Sequence, residues 1–360
     1  MKQVIFKGEF KTLSPFCSSD PADKSTNAVK TRKISVHYNN DVYSIPFLSP
    51  NTIRSNLRDN IAKDIIEKFP NQLGYKELLF LTSGGNLEGK EEKSKGLKTR
   101  DVLERIREIR ENNIIASIFG GALFHLNKLI PGKLICGVGY LQCEETKGND
   151  DFPSYKTYMG KNLQFVRSDD TDRWEFFSAL SEEGIRNKEE FEIKYKESAK
   201  QRQEEKKKKT NGAKTENTES LIETSPEEEQ KEEQKKAPKI VSSQMIWEIE
   251  DYVVEGATFE HELLLVNPKL EEIGAIIRAY ERFSEFPYLG CFKNIGFGKM
   301  QVKYDIYDIY EIDDKGGKKK MGSIEVKDIK NFEINGKEVK QALEEYNKYL
   351  KNLIYNMIKI

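Results

Sequence analysis

Apolar and polar positions alternate over residues 3–13, with Val4, Phe6, Phe10 and Leu13 marking the period of a half-buried strand. The segment SPFCSSDPADKSTNAVK breaks that pattern with Ser, Asp and Pro, and predicts a loop. Alternation resumes in ISVHY and VYSIPFL on either side of Asn39-Asn40-Asp41, which predicts a hairpin. From Ile45 to Phe69 the period changes. Ile53, Leu57, Ile61 and Ile65 recur every fourth residue, so this stretch predicts a helix with one buried stripe. Ser49 stands where it can cap that helix, and Pro50 sits in the first turn, where a missing backbone N–H costs nothing.

Residues 70–118 read as a partly helical insertion. TRDVLERIREIRENN places Val102, Leu103, Ile106 and Ile109 at helical spacing, with Arg100, Arg105, Arg107 and Arg110 interleaved with glutamates. Ser83-Gly84-Gly85 and Phe119-Gly120-Gly121 bracket the insertion, and GKLICGVGYLQCE then predicts a strand whose glycines admit another backbone closely. Residues 144–196 open on a polar and aromatic run that includes Phe152, Tyr155, Tyr158 and Phe165, the expected projecting hairpin or long loop. Residues 197–239 carry a basic half followed by an acidic half and almost no large apolar side chain. Such a tract cannot bury enough surface to offset its ordering entropy, and it is expected to be a disordered linker.

Regular patterning returns with two strands split at Glu255-Gly256. A helix carrying Leu270, Ile273, Ile276, Ile277, Tyr280 and Phe283 follows, then the loop GCFKNIGFG and the strand KMQVKYDIYDIYEI. DDKGGKKK is expected to turn the chain into a short strand and a C-terminal helix. Without the insertions the order is strand, helix, strand, strand, helix, strand. The predicted fold class is therefore α+β, with a ferredoxin-like, RRM-like split βαβ core over residues 1–69, 119–143 and 241–311, closed by 312–360. That architecture is frequently, though not only, a platform for RNA.

Composition narrows the partner classes. Lys and Arg number 59 against 60 Asp and Glu, so any nucleic-acid site must be a local basic face and not the charge of the whole molecule. Cys17, Cys136, Cys143 and Cys291 show no CxxC spacing, which argues for reduced thiols and against a zinc site. No run is apolar and long enough for a signal sequence or a bilayer span, so a soluble, cytoplasmic protein without a membrane partner is expected.

Arg54 and Arg58 lie side by side along the predicted helix. Two guanidiniums beside a helix N-terminus can grip phosphates; they can equally be solvated surface side chains. In GCFKNIGFG the glycines either let a ligand approach the backbone or only supply turn φ angles, while Lys293 and Lys299 set charge around Phe297, an expected stacking surface. Gly84 to Lys90 comes close to a P-loop, but Glu91 stands where the magnesium-binding hydroxyl belongs, so no NTPase is expected. Asp169, Asp170 and Asp172 could hold a divalent ion for phosphodiester cleavage, or form a solvated turn. His37, His125 and His261 show no ligand spacing.

IPFLSPNTIRSNLRDNIA, SIFGGALF with GKLICGVG, and EIGAIIRAYERFSEFPYLGCFKNIGFGKMQVKYDI together resemble the RAMP superfamily. More closely, they resemble the crRNA-binding backbone subunit of class 1 CRISPR effector complexes in its type IV form. Ser55 stands where that family's first motif has glycine. The resemblance covers well under half of the chain and implies a non-catalytic RNA-binding protein of antiviral defence. It needs no cofactor and no metal. Copies stack head to tail along one crRNA as a helical filament within a ribonucleoprotein, alongside other CRISPR effector subunits, leaving the guide bases to pair with a target nucleic acid. The RNA-binding residues it implies are Arg32, Lys33, Asn51, Arg54, Arg58, Ser83, Gly84, Phe119, Gly120, Gly121, Lys293, Asn294, Gly296, Phe297, Gly298 and Lys299, with 144–196 as the projecting thumb. The rival reading is a type III-like backbone subunit that cuts target RNA with a loop aspartate from Asp169, Asp170 or Asp172. A repeat-RNA processing endonuclease is a third reading, disfavoured by the poor supply of histidines.

Overall fold

A computed structural model describes residues 2–19, 28–85, 99–123, 128–167, 193, 245–312 and 315–358. The strands are β1 (Gln3–Thr12), β2 (Ala28–Val29), β3 (Lys33–Tyr38), β4 (Asp41–Leu48), β5 (Gly120–Leu123), β6 (Lys128–Pro131), β7 (Leu134–Cys136), β8 (Gly139–Leu141), β9 (Met159–Arg167), β10 (Met245–Val253), β11 (Thr258–Val266), β12 (Met300–Ile312), β13 (Lys315–Asp328) and β14 (Asn331–Asn335). The helices are α1 (Pro50–Lys68), α2 (Tyr75–Ser83), α3 (Thr99–Asn112), α4 (Ile114–Phe119), α5 (Glu144–Lys147), α6 (Leu270–Phe283), α7 (Lys337–Asn352) and α8 (Tyr355–Ile358). The chain divides into two compact units, residues 1–163 with 249–360 and residues 164–248. The expected disordered tract at 197–239 lies outside the described residues.

The first unit is α+β. Among the described residues its main sheet runs β14-β13-β12-β1-β11-β8-β4-β3, with β7 also on β11. β1 is antiparallel to both neighbours, Phe6 facing Leu263 on β11 and Ile306 on β12. The expected single strand of GKLICGVGYLQCE is two, because Gly137 breaks it: its N–H donates to the Glu262 carbonyl at 2.9 Å between the two stretches that pair with β11. The β3–β4 hairpin forms as predicted, with Asn39 and Asn40 at φ 48° and 68°, the left-handed region a two-residue hairpin turn requires. KGGKKK departs from expectation. It lies inside β13, paired with β12, and not in a turn. The C-terminal helix is also interrupted, α7 ending before Leu353 and α8 following it.

One face of the sheet carries the core. Val4, Phe6 and Phe10 of β1, with Phe259, Leu263 and Leu265 of β11, are at most 1% exposed and pack with Ile53, Leu57, Ile61 and Ile65 of α1. Burying each of these aliphatic side chains stabilises by about 1.5–3 kcal/mol. α6 and α7 complete the helical layer through Ile273, Ile276, Tyr280, Val339 and Tyr346. An ion cluster ties the three helices together. Asp64 of α1, its side chain 2% exposed, accepts from Arg278 Nε at 3.2 Å, Arg282 Nε at 2.7 Å and the Tyr346 hydroxyl at 3.2 Å. On the opposite face β1 presents Lys7, Glu9 and Lys11 to solvent, so that surface is charged and carries no aromatic stacking pair from β1.

The described part of the 70–118 insertion is helical, formed by α2, α3 and most of α4. α3 buries Val102 and Ile109, but Leu103, expected on the same stripe, is 61% exposed. Three of its four arginines are paired within the helix: Arg100 with Glu104, Arg105 with Glu108 and Arg107 with Glu111. The expected projecting segment starts as α5, a 3-10 turn at Tyr155–Tyr158 and β9, with Tyr155 and Tyr158 packed against the main core.

Candidate nucleic-acid interface

The first turns of α1 and the Phe119-Gly120-Gly121 turn meet. Arg54 Nη2 donates to the Phe119 carbonyl, and Arg58 Nη2 donates to the Gly120 carbonyl at 2.5 Å. The Arg58 guanidinium also stacks over the Phe119 ring, 5.2 Å from its centroid. Arg58 is 8% exposed, and its Nε has no hydrogen-bond partner among the described residues. Burial, and then the charge of Arg54, push its pKa down to about 10. As it sits, Arg58 braces the turn while Arg54, half-buried, is the more accessible of the two.

Gly120 has φ 66° and ψ −166°, a region nearly closed to side-chain-bearing residues, and a Cβ there would lie 2.1 Å from the Ile130 carbonyl. Ser83-Gly84-Gly85 joins the same cluster. Gly84 caps the C-terminus of α2 in the left-handed region, its carbonyl accepts the Ala122 N–H at 2.7 Å, and a Cβ on it would strike Arg58 Nη1. Because Gly84 ends a helix, the P-loop geometry, in which glycines open one, is not met at this position. Ser83 is exposed but bonds back to the Leu79 carbonyl at 2.9 Å.

Ser49 does not cap α1 with its side chain; its hydroxyl instead accepts from Arg32 Nη1 at 3.3 Å. Asn51 is exposed in the first turn. Lys33 forms an ion pair with Asp251, and Lys299 pairs with Asp328 at 2.7 Å. Arg54 and Lys293 make no ion pair within 4.0 Å with any described residue.

In the glycine-rich loop Lys293 opens a 3-10 turn, with Asn294 and Gly296 exposed beyond it. Burial pushes the Lys293 pKa down, opposed by Asp59 and reinforced by Lys63, both on α1. Phe297 departs from expectation as a stacking surface: it is 5% exposed and packs edge-on against Tyr252 and Phe292. Gly298 supports the loop from beneath, its N–H donating to the Pro15 carbonyl at 2.7 Å. Asp169, Asp170 and Asp172 lie outside the described residues, as does His125; His37 is exposed on β3.

Sequence reasoning missed the brace behind the Phe119 turn. Glu272 of α6, its side chain 2% exposed, accepts from Ser117 Oγ at 2.6 Å, from Lys133 Nζ at 2.7 and 2.9 Å, and from the Lys269 N–H at 2.8 Å. An acidic residue three positions into a helix is a local signal for that last bond. Nothing local reveals Ser117 or Lys133 as partners.

No family model matches the chain, and no curated protein matches it. Among solved structures the chain is similar to a chain of a Type IV-B CRISPR complex, at 10% identity and a TM-score of 0.42, over 84% of this chain and 89% of that one. A likeness of that level carries no weight for fold or function.

Proposed function

We propose that this protein is a non-catalytic guide-RNA-binding subunit that oligomerises along a crRNA as the helical backbone of a CRISPR interference complex, working with other effector subunits. The observation that carries this reading is convergence on α1. On one flank of the helix Arg54 and Arg58 hold the carbonyls of Phe119 and Gly120; on another Lys293 of the glycine-rich loop faces Asp59 and Lys63. Three motifs far apart in sequence, each picked out by the family resemblance, thus lie along one helix. The reading also draws support from strand order: β12-β1-β11-β8, with α1 and α6 as the two helices, is the order a ferredoxin-like, RRM-like core has. Guanidinium, ammonium and bare peptide N–H groups read phosphates without reading sequence, which leaves guide bases to pair.

The test is RNA binding across a salt series. Arg54→Ala is expected to weaken binding of unrelated single strands nearly uniformly and to reduce the slope of log K against log salt by about one. A slope equal to that of the unsubstituted protein removes Arg54 from the interface. Purification of the chain free of RNA, with no binding to added guide, overturns the reading as a whole.

A further inference from the structure

Beside Lys293 a cleft of about 530 Å³ opens between α1 and the segment after α6, lined among others by Asn56, Asp59, Lys63, Phe286, Tyr288 and Lys293. Its wall carries an aromatic pair turned away from the core. Phe286 is 56% exposed and stacks on Tyr288 with ring centroids 4.5 Å apart and planes 28° apart. Apolar rings of this size are usually buried, so a stacked pair left in water at the edge of a polar cleft calls for a ligand with a flat face.

The ledge is rigid. The Phe286 N–H donates to the Phe283 carbonyl at 3.1 Å, the Tyr288 N–H to the Phe286 carbonyl at 2.8 Å, and Met300 N–H to the Pro287 carbonyl at 2.8 Å. The floor is polar and also fixed. Asn60 Nδ2 is anchored to the Ala279 carbonyl at 3.2 Å and donates to Asn56 Oδ1 at 3.1 Å, which orients the Asn56 amide. An amide donor at Asn56, a carboxylate acceptor at Asp59 and ammonium groups at Lys63 and Lys293 then stand around the stacking surface.

We propose that this cleft is a nucleobase subsite, in which one base of a single-stranded RNA stacks on the free face of Phe286 while Lys63 and Lys293 hold the adjoining phosphates. Asn56 and Asp59 face the base edge, so a base with both donors and acceptors is accommodated. The proposal rests on the guide-RNA reading and adds to it a place where a base, and not only the backbone, is gripped. Lys63 Nζ also donates to Asn60 Oδ1 at 3.2 Å, and Asp59 supplies one carboxylate to the two ammonium groups. An aromatic peptide side chain could use the ledge but brings no further anion, whereas a nucleotide brings a flat base and phosphates together.

The experiment compares two fluorescein-labelled 12-mers binding to the full chain, oligo(A) and an abasic ribose-phosphate strand with the same number of phosphates. Phe286→Ala is expected to weaken oligo(A) binding roughly 5- to 100-fold and to leave the abasic strand unchanged, the size of losing one base–aromatic stack. Phe286→Trp is expected to retain oligo(A) binding. Equal oligo(A) affinity for Phe286→Ala and the unsubstituted protein, or an equal loss on both strands, overturns the subsite and leaves the guide-RNA reading standing. Failure of the unsubstituted protein to bind either strand overturns both.

Discussion

Glu272→Gln perturbs the brace behind the Phe119-Gly120-Gly121 turn. Glutamine keeps the shape and one accepting oxygen but replaces the other with an N–H2, which cannot accept, and removes the charge facing Lys133. The pair is well buried, with side-chain exposures of 2% for Glu272 and 16% for Lys133. Breaking a buried pair by removing one partner costs about 3–5 kcal/mol, because the other charge is left uncompensated. The small access of Lys133 to water places this case near the lower end, about 3 kcal/mol. For a domain of this size about 1 kcal/mol moves Tm by about 2–4 °C, so the expected drop is about 6–12 °C. Thermal unfolding followed by circular dichroism measures it, with Lys133→Met and the double variant closing a cycle. In the Lys133→Met background the glutamine substitution is expected to cost less by about 1–3 kcal/mol. A Tm within about 1 °C of the unsubstituted protein, or strict additivity of the two changes, would refute the argument.

Two further substitutions test other buried groups of the first unit. Arg58→Met removes both the charge and the planar fork over Phe119, and is expected to lower stability in urea titrations by about 1–3 kcal/mol while leaving the salt slope of RNA binding unchanged. A changed slope with unchanged stability would make Arg58 a phosphate contact and not a brace. His261 is 1% exposed, and burial pushes its pKa from 6.5 down to about 4. The unfolded chain therefore binds the extra proton between pH 6.5 and 4, so the contribution is complete above pH 6.5 and lost on acidification through that window, by about 3 kcal/mol. His261→Gln is expected to reduce the slope of stability against pH there by one proton, and an unchanged slope in urea titrations at pH 4.5–6.5 would show that His261 charges freely.

Strand alternation and helical stripes made most of the first unit legible. The Val4–Phe10 alternation, the Asn39-Asn40 turn and the α1 stripe all depend on contacts within a few residues, which is where patterning carries information. The errors fall where tertiary partners decide. Ser49 gave up its capping role because Arg32 lies within reach, and Phe297 became core because Tyr252 and Phe292 meet it. KGGKKK pairs as strand despite its two glycines because β12 supplies a ladder of partners. At the candidate site the sequence marked Arg54, Arg58 and the glycine turns, but adjacency alone could not tell a buried brace from an accessible cation. Phe286 and Tyr288 carry no spacing signal; only the cleft beside them gives them meaning.

A chain of polar groups crosses the core at His261. His261 Nδ1 lies 2.6 Å from the Tyr304 hydroxyl, which accepts from the Tyr280 hydroxyl at 3.1 Å, while His261 Nε2 lies 3.1 Å from the Gly137 carbonyl. These residues belong to β11, β12, α6 and the break between β7 and β8, so the chain crosses four elements. Sliding β11 or β12 by one residue against β1 would turn His261 or Tyr304 to the opposite face and leave its partners buried and unsatisfied, at about 1–3 kcal/mol each. Hydrophobic side chains alone tolerate such slips far better. The string therefore acts as a registration pin, fixing the heights at which the glycine-rich loop leaves for β12 and the β7–β8 break meets α1.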